Sequence, residues 1–182
     1  MEGWINALLQ GLLLGGLYAL FAAGLSLAFG IMRMINIAHG DLAILAAFVG
    51  VAIVDYTDMN PFLVLPLVAL AMAGFGYVLQ RLILNRTLGK DILPPLLVTF
   101  GFSIVIQNLL LVVFSANTRS LDVGTLGTDS IVLSGEVAIG VFPLIVMVTA
   151  VAVLGALQWL FSSTAIGRAF RAASDAPEVA PL

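Results

Sequence analysis

The residues with most chemistry to offer stand together in Arg33-Met-Ile-Asn-Ile-Ala-His-Gly-Asp41. His39 is the sole histidine of the chain, and Asp41 is the acid nearest to it. Imidazole titrates near neutral pH and a neighbouring carboxylate stabilises its protonated form, so the pair has the parts of a proton relay. Positions i and i+2 point to different helix faces, however. Direct pairing therefore requires a bend at Gly40, which has no Cβ and can adopt positive φ. Two other roles suit the same residues: Asn36, His39 and Asp41 capping broken helix ends, or lining and gating a pathway. Gln107 and Asn108 lie well inside an apolar block, where each amide needs a partner or water. They either line a route or tie helices together.

Several chemistries are closed by what is missing from the sequence. There is no cysteine, so disulfides, thiolate catalysis and cysteine-held metals are excluded. Ser103 and His39 form the one thinkable hydrolytic dyad, yet Ser103 stands in Gly-Phe-Ser-Ile without the following glycine of a nucleophile elbow. Gly89-Lys90 is followed by Asp91, and Leu84 stands where a phosphate loop needs glycine, so no Walker motif exists. The chain is expected to hold no cofactor of its own. A net charge of −3 without a basic run leaves no footprint for nucleic acid.

The elements that must position these residues are membrane helices. At 62% hydrophobic and 9% charged residues, the chain has too few polar groups to coat a soluble globule of its length. Five apolar blocks run over 3–32, 34–40 continued by 42–54, 59–80, 92–118 and 137–167. A spanning helix needs roughly 20 mostly apolar residues, so four blocks qualify outright. The second is long enough only if it includes residues before Leu42, because 42–54 offers 13 residues whereas 34–54 offers 21. Asn36, His39, Gly40 and Asp41 are therefore expected to enter the membrane, as helix or as a re-entrant turn. Polar groups at that depth must face protein or water.

Charge fixes an expected orientation. Arg33, Arg81, Arg86, Lys90, Arg168 and Arg171 fall in one set of gaps, and only Arg119 falls in the other, beside Glu2, Asp55, Asp58, Asp122, Asp129 and Glu136. The positive-inside rule places the N-terminus outside and the C-terminus in the cytoplasm. Trp4 and Trp159 suit interfacial anchors. The first block has an acidic rather than a basic N-terminal flank and exceeds the length of a signal-peptide core, so it is expected to stay on the protein. Within it Ala7, Gly11, Gly15, Ala19 and Ala23 recur every four residues, a stripe suited to close helix packing, although small residues are common in membrane helices generally. Residues 115–136 read as an external loop rich in turn formers, with Arg119, Asp122 and Asp129 as solvated charges or partner contacts.

Three segments together carry a resemblance. Gly15-Gly-Leu-Tyr-Ala-Leu20 with Gly24-Leu-Ser-Leu-Ala-Phe-Gly30 and Asn36-Ile-Ala-His-Gly-Asp41, then Leu97-Val-Thr-Phe-Gly-Phe-Ser-Ile-Val-Ile-Gln-Asn108, then Thr164-Ala-Ile-Gly-Arg-Ala-Phe-Arg-Ala172, follow one another in family order. The chain resembles branched-chain amino-acid ABC transporter permeases of the LivH type. The resemblance implies an all-α polytopic bundle in the inner (plasma) membrane. It would form the transport pathway for branched-chain amino acids or related small solutes, such as amides and urea. Implied partners are ABC ATPase subunits, a second permease subunit, an external solute-binding protein and lipid. The family's cytoplasmic coupling loop corresponds to Gly167, Arg168, Arg171 and Asp175. Read by themselves, the two arginines are ordinary snorkelling and positive-inside anchors. The expected division is a transmembrane region over 1–167 and a coupling segment over 168–182. Asp175-Ala-Pro-Glu178 reads as a helix start, with Pro181 interrupting it, and only seven residues follow Asp175. The chain is thus expected to be an N-terminal portion of a permease. The competing function is a proton-coupled secondary carrier using His39 and Asp41.

Overall fold

In the computed structural model of the chain, residues 2–87, 93–134, 137–165 and 167–170 are described. The chain divides into two compact units, Arg33–Asp122 on the one hand and Met1–Met32 with Val123–Leu182 on the other.

The unit Arg33–Asp122 is built from α2 (His39–Thr57), α3 (Pro61–Leu82) and α4 (Leu93–Phe114), with a single 3₁₀ turn at Leu84–Arg86. Helix α3 starts where it does because Asn60 caps it. The Asn60 side chain accepts the Phe62 N–H at 2.9 Å, and Pro61 has no N–H to leave unsatisfied. Along α4, Pro95, Thr99, Ser103, Ile106 and Leu110 are buried, a stripe at helical spacing. Two apolar clusters lie against α4: Met34 with Leu79 and Leu84, on which Val98 and Phe102 pack, and Ala38 with Ile106 and Leu110. Helices α2 and α4 run parallel. Residue 41 sits beside 103 and 107, Phe48 packs on Phe114 at 4.7 Å between ring centroids, and Asp55 pairs with Arg119.

In the other unit α1 (Glu2–Met32) and α5 (Val141–Ser163) pack together, also in parallel. Gly16 makes the approach: a Cβ there would lie 3.0 Å from the Met147 backbone. A two-stranded antiparallel hairpin, β1 (Ser130–Ser134) and β2 (Val137–Gly140), precedes α5. Gln10 of α1 holds it by donating from Nε2 to the Ala138 carbonyl at 3.1 Å.

The hairpin corrects the all-α expectation, since the chain is mostly helical but not wholly so. It also shortens the fifth apolar block, whose first four residues are strand. Ile131 and Val132 opposite Ile139 and Ala138 suit a pleated surface, and Gly140, in extended conformation, is the N-cap of α5, three residues before Pro143. The 23 residues left in α5 still reach about 34 Å, enough to cross.

Among the described residues five helices are long and apolar enough to span a membrane, and their most apolar windows are only 6–22% buried within the chain. Their remaining apolar surface faces outward, as lipid or neighbouring helices require.

Candidate functional site

The polar segment of the sequence is a break between helices. Helix α1 ends at Met32, and Arg33 takes a left-handed conformation (φ 51°). Residues 33–36 are irregular, and α2 begins only at His39. Asn36 shapes the turn with its own side chain, Oδ1 accepting the Ala38 N–H at 3.1 Å, while its carbonyl accepts the His39 N–H at 3.2 Å. Thr99 of α4 completes the backbone pairing by accepting the Ile37 N–H at 3.2 Å and donating to Leu96 O at 3.0 Å. Met34 and Ala38 are almost fully buried on either side, so the irregular chain is held against protein.

Gly40 does not make the bend. It lies in the first turn of α2 without positive φ, and the left-handed residue is Arg33 instead. The reason is that an Asx turn at Asn36 already redirects the chain. Asp41 turns to α4, from which both its carboxylate oxygens accept a hydrogen bond. Ser103 donates from Oγ to Oδ2 at 2.5 Å, and Gln107 donates from Nε2 to Oδ1 at 3.1 Å and to Ser103 Oγ at 3.2 Å. Ser103 is buried, and its hydroxyl donates to the Asp41 carboxylate. Asn108 faces elsewhere, its Nδ2 donating to Ile104 O of its own helix at 2.8 Å.

This cluster lies half-way along α4, with Ser103 buried, Asp41 half-buried and Gln107 exposed. Ser103 is the eleventh of the 22 residues of α4, so the first turn of α2 meets α4 near its midpoint. Beside it lies a cavity of about 390 Å³, lined among others by Asp41, Ile44, Phe48, Gln107, Leu110 and Leu111. Towards the other end of α4, Arg119 pairs with Asp55 at 3.3 Å and stacks over Phe114 at 5.5 Å. The one basic residue on the acidic side of the sequence is thereby matched by an acid.

At the end of α5 the chain turns sharply. Thr164 is extended (ψ 161°), and its Oγ1 both donates to Leu160 O at 2.6 Å and accepts the Gly167 N–H at 3.2 Å. That makes it the N-cap of the helical residues 167–170. Gly167 is buried, and a Cβ there would collide with backbone atoms of Leu160 and Phe161. Phe170 packs on Phe161 at 5.7 Å and Arg168 is exposed. Arg171 and Asp175 lie outside the described residues. In α1, Gly11 and Gly15 are exposed with nothing within 4 Å of an added Cβ, and Ala19 and Ala23 are half-buried. The close contact inside this unit falls on Gly16, one residue off the stripe.

Comparison with known proteins decides the family. The family described as "Branched-chain amino acid transport system / permease component" matches residues 7–182. The chain belongs to this permease family. As a permease component it is a multi-pass inner-membrane protein, in keeping with its five long apolar helices. It is 28% identical over 184 residues to the high-affinity branched-chain amino acid transport system permease protein BraD of Pseudomonas aeruginosa, covering 94% of this chain and 59% of BraD. Against the permease protein LivH of Escherichia coli K12 and of Salmonella typhimurium it is 28% identical over 116 residues, 58% of this chain and 37% of LivH. The chain thus spans about three-fifths or less of the relatives it matches. No solved structure matches it. Within this permease, Thr99, Thr164 and Gly16 are the residues that sequence reasoning passed over, and Ser103 was considered only as half of a hydrolytic dyad that the sequence did not favour. Thr99 and Ser103 share the spacing of the buried α4 stripe, a signal open to inspection. Gly16 had no such signal.

Proposed function

We propose that this chain forms part of the transmembrane pathway of an ABC importer for branched-chain amino acids, has no catalytic activity of its own, and is driven by a separate ATPase. The family match over residues 7–182 carries this reading. The geometry supports it through the break before α2, which brings Asp41, Ser103 and Gln107 to the middle of a helix that crosses the bilayer. Irregular backbone and ionisable groups at such depth are tolerated where they line a cavity and are functional by default. The N-terminus is outside and the C-terminus in the cytoplasm, in accord with the basic residues and with the parallel packing of α1 with α5 and of α2 with α4, which odd and even spans require.

Coupling to the ATPase runs through the capped turn at Thr164. Gly167 lets the following helix sit directly on the end of α5, and Arg168, with Arg171 and Asp175, presents charge to the motor. ATPase closure then moves α5 as a rigid body through that joint, opening the pathway alternately to the two sides. A second permease subunit completes the pathway, and a solute-binding protein delivers the substrate from outside.

The test is co-purification of the permease with a candidate ABC ATPase subunit from the same organism. Capture by the native protein and at least a tenfold loss with Arg168→Glu/Arg171→Glu is the expected result, corresponding to about 1.4 kcal/mol or more at the joint. Undiminished capture by the double variant would remove the coupling role, and leucine uptake that needs no ATPase would sink the importer reading.

A further inference from the structure

We propose that the cavity beside Asp41 is the intramembrane seat of the substrate, with Asp41 and Gln107 receiving the ammonium group of an apolar amino acid while Ile44, Phe48, Leu110 and Leu111 receive its side chain. The inference rests on the importer reading and adds the residues that read the solute.

The donor count at the polar end carries it. Both N–H groups of the Gln107 amide are spent, one on Asp41 Oδ1 and one on Ser103 Oγ, and the Ser103 hydroxyl hydrogen is spent on Asp41 Oδ2. Every donor in the cluster is consumed internally. A carboxylate offers about four acceptor sites, of which these bonds fill two, and Oε1 of Gln107 also remains. What the cluster presents to the cavity is therefore acceptors and a negative charge, which suit a cationic group with several N–H donors. None of the residues lining the cavity is basic. A carboxylate at this depth without a cation is costly, and an arriving ammonium offsets that cost.

The apolar part of the lining fits the other half of such a solute, while Ser115, Ala116, Asn117 and Thr118 line the remainder of the cavity. Ile44 and Phe48 follow Asp41 at i+3 and i+7 on one face of α2, and Leu110 and Leu111 follow Gln107 at i+3 and i+4 on α4. The volume of about 390 Å³ lies in the range of small-molecule sites. Like-charge repulsion turns the substrate's own carboxylate away from Asp41, towards the open side of the groove. The arrangement disfavours acidic solutes, and it gives urea and simple amides, which carry no ammonium, no charge partner.

The experiment uses the complete transporter in liposomes, with full-length permease, ATPase and binding protein. Labelled leucine measures uptake, and a diazirine analogue of leucine maps the seat by photo-crosslinking and mass spectrometry. Asp41→Asn keeps the side-chain shape. It is expected to lower leucine uptake by about 10–100-fold, the worth of one charged hydrogen bond, while still co-purifying with the ATPase. Adducts on α2 and α4 near Ile44 and Leu110 are expected in the native protein and lost in the variant. Uptake by Asp41→Asn within twofold of native, or adducts confined to other helices, overturns the proposal while leaving the importer reading standing. No leucine uptake by the native transporter overturns both. Should Asp41→Asn fail to assemble, Ile44→Trp decides, because it fills the groove without touching the hydrogen bonds: blocked uptake in an assembled complex supports the seat, and native uptake refutes it.

Discussion

Thr99 shows how one side chain makes a break in a membrane helix affordable. Its hydroxyl accepts the Ile37 N–H and donates to Leu96 O, at a position only 2% exposed. Thr99→Val keeps the volume and leaves the Ile37 N–H without its acceptor. A buried unsatisfied donor costs roughly 1–3 kcal/mol, so the variant should lower the midpoint of thermal unfolding of the purified permease. An unchanged midpoint would mean that water or another group serves that amide. The polar character of Asn36, His39, Asp41, Gln107 and Asn108 was legible in the sequence, because polar residues in an apolar block announce themselves. Their partners were not. Asp41 could be matched with His39 by proximity in sequence, whereas its hydrogen bonds run to residues more than 60 positions away. Asn108 and Gln107 are neighbours in sequence, yet the 100° step of a helix sends one back to its own backbone and the other across to α2.

At the scale of elements, length and hydropathy located all five long helices, and local chemistry set their ends. Asn60 with Pro61 starts α3, Asn36 redirects the chain before α2, and Thr164 caps the helical residues after α5. The last of these gives a sharp prediction. Gly167→Ala places a methyl group against backbone atoms of Leu160 and Phe161 that cannot rotate aside. The helix after α5 must shift, so transport and ATPase capture should fall together although the charges of Arg168 and Arg171 are intact. An Ala variant with native capture would show that the joint tolerates displacement. By contrast, the hairpin before α5 escaped the sequence reading because a short apolar run of β-branched residues looks the same at the start of a helix as in a strand. Its pairing with residues 130–134 and the Gln10 bond decide between the two.

For the whole molecule, orientation is the property most open to direct measurement. The chain contains no cysteine, so a single cysteine placed at Asp122 or at Arg86 is an unambiguous probe. In intact cells a membrane-impermeant maleimide should label position 122 and reach position 86 only after permeabilisation. The reverse pattern would invert the topology. The sequence by itself determined that this is a multi-pass membrane protein of the permease family. Hydropathy, charge distribution and ordered motifs are additive along the chain and need no knowledge of partners. The tertiary structure decided which polar groups meet: that Asp41 belongs to Ser103 and Gln107, that Arg119 belongs to Asp55, and that Gly16 rather than the four-residue stripe carries the close contact with Met147. Those choices depend on the axial offset and rotation of packed helices, which arise from side-chain fit across elements and are written at no single position.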